Sequence, residues 1–480
     1  MNIQSNSQKN RQLPLLIMLV FSLFTACMTA DMVNPVLPLI ANDFAASEAQ
    51  AGWVITGVML VIAIGVPIYG RISDFFSLRR LYPLALLIFA AGSLVCAAAP
   101  TLLVLVLGRM LQGAGSAAIP VLSVIIVSRV LPSGSRGAAL GILAGSIGIG
   151  TAVGPIFGGL VGQLLGWPAL FWITLVLLLA LVLCSVYVLP SERPGTATAT
   201  AKDRRFDLLG GIVFGLAAGL FLIGVTQGQA EGFQSLSSLG SLAGASLMTV
   251  AFVWRIFTAE HPFLPPALLA NKGYMAAVLA GFFTMFAYVA SLVYVPLLIV
   301  EVSGLSPGAA GLVLLPGAAA VAALSPAAGR LSDRIGAKLP VTAGLSVMGI
   351  SLLFMSTFAA GSSPLLASFG MLGLGFGVAF TNSPANNAAA STLENEQLGA
   401  GLGIFQGALF LGAGTGASII GAFLAARKDA GQAPLNPFYV LDAAPYSDAF
   451  LAIAAAVIIA LVFSTGLQSG KQKNSSETSR

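Results

Sequence analysis

Long apolar runs recur along the whole 480-residue chain, separated by short polar segments. Fourteen of them are long enough to cross a hydrocarbon core of about 30 Å. They lie at 14–38, 50–70, 81–99, 101–128, 137–164, 167–189, 207–228, 236–255, 273–300, 307–329, 339–360, 364–391, 398–426 and 447–468. Membrane β-strands are about ten residues long and alternate in character. These runs do neither, so helices, which satisfy their own backbone, are predicted. The first run lacks a small-x-small cleavage site and more spans follow it. It reads as span one and not as a cleaved signal. Residues 1–12 and 469–480 read as disordered polar tails.

Composition strengthens the membrane reading. Hydrophobic residues make up 57% and charged residues 8%, and the mean hydropathy is +0.94. Soluble domains carry about 25% charged residues, so most of this surface is expected to face lipid. A net charge of +5 raises the question of a nucleic-acid partner, and its placement answers it. With a cytoplasmic N-terminus and fourteen alternating spans, all 22 Lys and Arg residues except Arg109, Arg427 and Lys428 fall inside. That is the positive-inside pattern, which predicts a multi-pass inner-membrane protein with both termini in the cytoplasm. Cys27, Cys96 and Cys184 all lie in predicted spans. An odd, scattered set argues against a disulfide framework or a metal site. No Gly-x-x-x-x-Gly-Lys-[Ser/Thr] loop and no His/Cys/acid cluster occurs. An ATP-driven pump, an enzyme and a cofactor are therefore not expected.

A short charged sequence repeats. Gly70-Arg71-Ile72-Ser73-Asp74 follows span two, and Gly329-Arg330-Leu331-Ser332-Asp333 follows span ten. If span nine opens a second unit, these positions are equivalent. The predicted organisation is then a tail (1–12), a six-helix bundle (13–189), a linker (190–206), two inserted helices (207–256), a cytoplasmic loop (257–272) holding His261, a second six-helix bundle (273–468) and a tail (469–480). The longest external loop is 427–446. Many secondary transporters are built from such repeats, with substrate bound between them near mid-membrane.

Three residue sets carry candidate chemistry. The first is the repeated loop, with Arg79 and Arg80 after the first copy and Arg334, Gly336 and Lys338 after the second. Gly70 and Gly329 permit close approach of helix ends. Asp74 and Asp333 suit an Arg partner or a helix N-terminus. Such a contact can form in one conformation and break in another, as a gate does. A simple positive-inside loop has no need of the aspartate. The second set is Leu105, Arg109, Gln112, Gly113 and Gly115 in span four. Arg109 lies about 12 Å deep at 1.5 Å per residue. A guanidinium there needs a partner or water, unless it snorkels outward. Arg109, Gln112 and Ser116 share one helical face, which is predicted to line a cavity. The third set is Gly150, Gly154, Pro155, Gly158 and Gly159 in span five. These glycines favour close packing, and the proline a kink.

Together these motifs resemble the major facilitator superfamily, specifically its fourteen-span drug:proton antiporter branch, over nearly the whole chain. The Glu-His-Pro run before span nine and Phe206-Asp207 opening span seven are also similar to that branch. The resemblance implies two six-helix bundles plus two inserted helices. It implies a latch at the first motif, proton transfer involving Arg109, and antiport from the span-five glycines. The first latch departs from the family pattern at Phe75 and Ser77, where Arg and Gly are usual.

A proton-coupled carrier needs an acid inside the membrane, where burial favours its neutral form. Asp31 is the only acid well inside a predicted span, unless span one ends earlier. The resemblance places spans one and four together, so Asp31 is expected to exchange the proton, with Arg109 tuning it. Ala413 stands where tetracycline exporters carry an acid before Gly414-Thr415-Gly416, so Asp31 would couple alone. The expected cavity residues are Asn34, Gln112, Ser116, Asn382, Asn386 and Gln406. The amides of span twelve equally fit helix packing. Phe282, Phe286, Tyr288 and Tyr294 fit the core, lipid, or stacking on an aromatic drug. The expected function is export of drugs or other hydrophobic small molecules against protons by a monomer in lipid. The alternatives are a metabolite or peptide exporter and a non-transporting sensor.

Overall fold

The computed structural model describes residues 2–46, 48–189, 207–260, 262–305, 307–394, 397–430 and 433–467. The expected linker 190–206, His261 and the C-terminal tail lie outside the described residues. Among the described residues, fourteen helices are long and apolar enough to cross a membrane. In order they are Gln12–Asp43, Gln50–Ile72, Leu78–Ala97, Leu102–Val130, Gly134–Leu165, Trp167–Val188, Leu209–Gly228, Leu236–Thr258, Lys272–Glu301, Ala309–Ile335, Lys338–Ala359, Pro364–Ser391, Leu398–Lys428 and Ala444–Ser464. They are numbered here as spans one to fourteen.

Local chemistry sets several boundaries. Thr101 accepts a hydrogen bond from the Val104 amide and opens span four, and Asn271 does the same for Tyr274 at span nine. Gly336, at φ 86°, stops span ten in a conformation that side chains disfavour. Span one breaks. Its first helix ends at Asp31, a 3-10 turn covers Asn34–Val36, and Leu37–Asp43 resumes the helix. Pro35 fits this break, because its nitrogen offers no N–H to the Asp31 carbonyl four residues back and its ring crowds that carbonyl.

Three expectations are corrected. Residues 2–11 continue the helix of span one where a disordered tail was expected; extending an existing helix gains one hydrogen bond per residue without a new nucleus. The second charged copy does not lie in a loop, since its helix runs on to Ile335. Arg427 and Lys428, expected in the external loop, end span thirteen instead, where cations suit the helix C-terminus.

The chain forms two compact units. The first comprises residues 1–131, 146–211 and 394–406. Spans three and four meet there at backbone distance: a Cβ on Gly92 would lie 2.5 Å from the Gln112 Cα, and one on Gly115 2.6 Å from the Ala85 oxygen. A core of Met32, Val36, Val54, Leu105, Trp167 and Phe171 fills one end. Trp167 Nε1 donates to Asp43 at 2.7 Å, which fastens the resumed helix of span one.

The second unit comprises residues 132–145, 212–393 and 407–480. Spans nine and thirteen pack through Gly412 and Gly416 on Phe282 and Phe286. This echoes the seam of spans one and five described below. Phe286 and Tyr294 are buried, and the Tyr294 hydroxyl donates to the Ala417 carbonyl. The inserted pair is a close hairpin in which Ser238 donates to the Gly224 carbonyl at 2.8 Å. Leu236, Leu247, Val250, Trp254 and Phe257 of span eight are exposed, as a lipid-facing surface requires.

Candidate proton and latch sites

In the first unit the break in span one sets Asp31 beside span five. Thr151 lies within hydrogen-bonding reach of its carboxylate, and Arg109 is close enough to act on it electrostatically. The approach depends on the glycines of span five. Gly150, Gly154 and Gly158 lie against the backbone of Phe24, Met28 and Met32, and a Cβ on Gly154 would come 3.0 Å from that of Asp31. Gly159 points elsewhere, with only Pro35 at 3.9 Å.

Arg109 is fully buried and does not snorkel. Nε donates to the Val54 carbonyl at 3.2 Å, and Nη1 to the Thr29 carbonyl at 3.3 Å and to Gln112 Oε1 at 2.5 Å. Gln112 Nε2 in turn donates to Ser93 at 2.7 Å. The Phe171 ring lies 6.0 Å from the guanidinium carbon, a favourable place for a cation. Among the described residues no ion pair joins Arg109 to Asp31. Nη2 of Arg109 and Oγ1 of Thr29 are buried with no protein partner among the described residues. Gln112, expected in the substrate cavity, instead belongs to this scaffold. Ser116 is buried and donates to the Gly113 carbonyl at 3.2 Å.

The two charged copies make one device twice. Asp74 Oδ1 accepts from the Gly399 amide at 2.8 Å and Oδ2 from the Ala400 amide at 2.9 Å, in the first turn of span thirteen. Arg129 pairs with Oδ1 at 3.0 Å and Arg71 with Oδ2 at 3.5 Å. Burial pushes the Asp74 carboxyl up to about 6, against the pull of Arg129, Arg71 and the two amides. In the second unit Asp333 accepts from the Gly137 and Ala138 amides of span five at 2.9 and 3.1 Å. Asn387 Nδ2 also donates to it, at 3.2 Å. Gly70 approaches Gly399 and Gly403, and Gly329 approaches Gly137, closely enough that a Cβ at either would collide with backbone. Arg79, Arg80 and Arg334 are exposed and Lys338 half-buried. The cations on Asp74 are Arg71, which lies within the first charged copy, and Arg129, which lies outside it.

The remaining expected cavity residues lie apart. Asn34 is exposed in the 3-10 turn. Gln406 is buried in the first unit, and Asn382 and Asn386 stand one turn apart on span twelve in the second. Oδ1 of both asparagines is buried without a protein partner among the described residues. One buried ion pair went unforeseen: Arg427 Nη2 lies 2.5 Å from Asp448, which is fully buried. Asp448 is the fifth residue of span fourteen but only the second of the predicted run 447–468, so its sequence position resembled a loop acid. The adjacent Arg427-Lys428 was the available signal.

Comparison with known proteins agrees with this architecture. A family profile described as Major Facilitator Superfamily matches residues 19–417 and again 277–479. The multidrug resistance protein Stp of Mycobacterium tuberculosis is 33% identical over 427 residues, 88% of this chain and 78% of that protein. The riboflavin transporter RibZ of Clostridioides difficile is 28% identical over 387 residues, 80% of this chain and 82% of that protein. The crystal structure of the human organic anion transporter MFSD10 (TETRAN) superposes with a TM-score of 0.65 at 14% identity, covering 94% of this chain and 99% of that one; at that identity it speaks for the fold. With fourteen spans, the repeated charged copies and this profile match, the chain is a multi-pass membrane transporter and belongs to the Major Facilitator Superfamily.

Proposed function

We propose that the chain exports drugs or other hydrophobic small molecules from the cytoplasm in exchange for protons, by alternating access. The observation that carries the reading is the placement of Asp31 at the break of span one, in reach of Thr151 and of the fully buried Arg109. Ionisable groups inside a membrane are costly and are kept where a pathway needs them. Discontinuous helices supply such sites in secondary carriers. In this reading Asp31 binds a proton from outside and releases it inside. Arg109, held by Val54, Thr29 and Gln112, supplies the fixed positive charge against which that carboxylate changes state.

The positive-inside bias puts Asp74 and Asp333 at the cytoplasmic face. Each carboxylate holds a helix N-terminal turn, where negative charge is favoured, and each contact can be made or broken as a whole. Making them in one conformation and losing them in the other gives the protein two states for Asp31 to bias. Asn382 and Asn386 meet substrate in this reading. The drug class is favoured by the name of the Mycobacterium relative, and a metabolite reading by that of the riboflavin transporter. The working form is a monomer.

Inverted vesicles carrying the protein and an imposed proton gradient, challenged with a drug panel and with riboflavin, test the proposal. Dissipation of the gradient by panel drugs supports drug export. Dissipation by riboflavin alone favours the metabolite exporter. Dissipation by none contradicts proton-coupled transport of either class.

A further inference from the structure

Residues 433–441 join spans thirteen and fourteen, and the mechanism above gives them no role. The segment carries no charge. Its side chains divide in two. Asn436 and Tyr439 are buried, whereas Leu435, Phe438, Val440 and Leu441 are exposed, Phe438 at 78% and Val440 at 87%. A loop that met only water would gain nothing from four exposed apolar side chains, and such a cluster marks a surface that meets a partner.

The loop is a built structure. Asn436 Nδ2 donates to Ser356 Oγ at 2.9 Å and to Thr357 Oγ1 at 3.0 Å, and its Oδ1 accepts from the Phe438 amide at 3.1 Å. The Tyr439 hydroxyl donates to the Ala360 carbonyl at 2.9 Å and accepts from the Ala443 amide at 2.7 Å. Asp448 accepts from the Leu435 amide at 2.7 Å, and Arg427 donates to the Ala433 carbonyl at 2.6 Å. All of these residues lie in the second unit. The bonds also set a level. Ser356 and Thr357 stand in the last turn of span eleven, which ends at Ala359. The loop is therefore held where that span leaves the membrane.

What adjoins the loop identifies the partner. Phe354 lies 5.7 Å from Phe358 on the same span and 5.8 Å from Phe369 on span twelve, between ring centroids. Phe358 and Phe369 are exposed, and an exposed apolar face on membrane-spanning helices is turned to lipid. Aromatic side chains at span ends sit at headgroup level. Asn436 joins the loop to this face, holding the Phe438 amide with one end of its side chain and Thr357, next to Phe358, with the other.

We propose that residues 435–441 are a membrane anchor: Phe438 and Val440 enter the boundary between headgroups and acyl chains at this end of the second unit, and Asn436 and Tyr439 set their depth. The partner is a phospholipid surface. Binding rests on apolar contact, because the segment offers no charge to a headgroup.

Spin labels on Phe438→Cys and, separately, Val440→Cys test this in the full chain, with Cys27, Cys96 and Cys184 replaced by alanine and the protein in phosphatidylcholine vesicles. Collisions with oxygen, which concentrates among acyl chains, are compared with collisions with a water-soluble nickel chelate. The anchor predicts oxygen collisions severalfold more frequent than nickel collisions at both positions. Asn436→Ala, added to Val440→Cys, should bring that ratio down toward unity. Nickel collisions dominating at both positions would put the loop in water and overturn the proposal. Few collisions with either reagent would show that protein covers the loop, as in a dimer of this chain, and would overturn it as well. An unchanged ratio after Asn436→Ala would refute the part given to Asn436.

Discussion

Gln112 Oε1 accepts a hydrogen bond from Arg109 Nη1 at 2.5 Å and, with the Val54 and Thr29 carbonyls, holds the guanidinium on the helix backbone, out of a direct ion pair with Asp31. Removing that tether lets the arginine collapse onto the carboxylate. Gln112→Ala should therefore lower the turnover of proton-driven transport about tenfold with a smaller change in KM, as expected for a group acting after substrate binds. Initial rates in proteoliposomes measure both constants. A pure KM effect would place Gln112 in the substrate cavity after all.

The latch carries a pH dependence. Burial holds the Asp74 carboxyl at about 6, above the ordinary value near 3.9. The latched state thus binds a proton more tightly than a state that exposes Asp74 to water. By linkage, latching is favoured as pH falls through the window from about 6 to about 4, and is weaker above it. Ser73 is buried and packs on Gly399, so a maleimide reaches a cysteine there when the latch opens. Maleimide labelling of Ser73→Cys in the full chain with Cys27, Cys96 and Cys184 replaced, corrected for thiol ionisation with a denatured control, should be slower at pH 5.5 than at pH 7.5 by more than that control. Asp74→Asn should remove the difference.

Span five offers two adjacent glycines with opposite surroundings. A Cβ on Gly158 would come 2.6 Å from the Met32 carbonyl carbon, whereas one on Gly159 meets only Pro35 at 3.9 Å. Gly158→Ala should destabilise the protein by about 1–3 kcal/mol through overpacking, and Gly159→Ala should be near neutral. Thermal unfolding in detergent reads the contrast. Equal effects at both positions would contradict the seam described here.

The ion pairs at the end of span thirteen should differ as sharply. Asp448 is fully buried against Arg427 and also accepts from the Leu435 amide at 2.7 Å. Asp448→Ala leaves a buried guanidinium without its acid and should cost about 3–5 kcal/mol. Lys428 and Glu301 form a pair whose side chains are 37% and 42% exposed, and Lys428→Met should cost under about 1 kcal/mol. The same melting assay separates them.

Much of this was legible in the sequence, because in a membrane both the length of an apolar run and the side on which its charges lie are physical requirements. The number and order of the spans follow from those two rules, and the repeat from the motif, whereas the neighbourhood of Asp31 and Arg109 was an expectation from the family resemblance. What was not legible depends on which residues three-dimensional packing brings together. Arg129 looked like an ordinary charge at the end of span four, and only folding brings it to Asp74. Gln112 shares a face with Arg109, which is equally consistent with a cavity and with a tether. Asp448 sits one residue inside a predicted span end, where a sequence pattern cannot tell a loop acid from a buried one.

Asp31 is the centre of the account, and one measurement tests it most directly. Asp31→Asn, purified and shown by its melting profile to be folded, is placed in inverted vesicles with an imposed proton gradient and a drug that the parent protein transports. Loss of gradient-driven transport, with drug binding retained, is the predicted result. Transport at the parent rate would contradict it and move proton coupling to another residue.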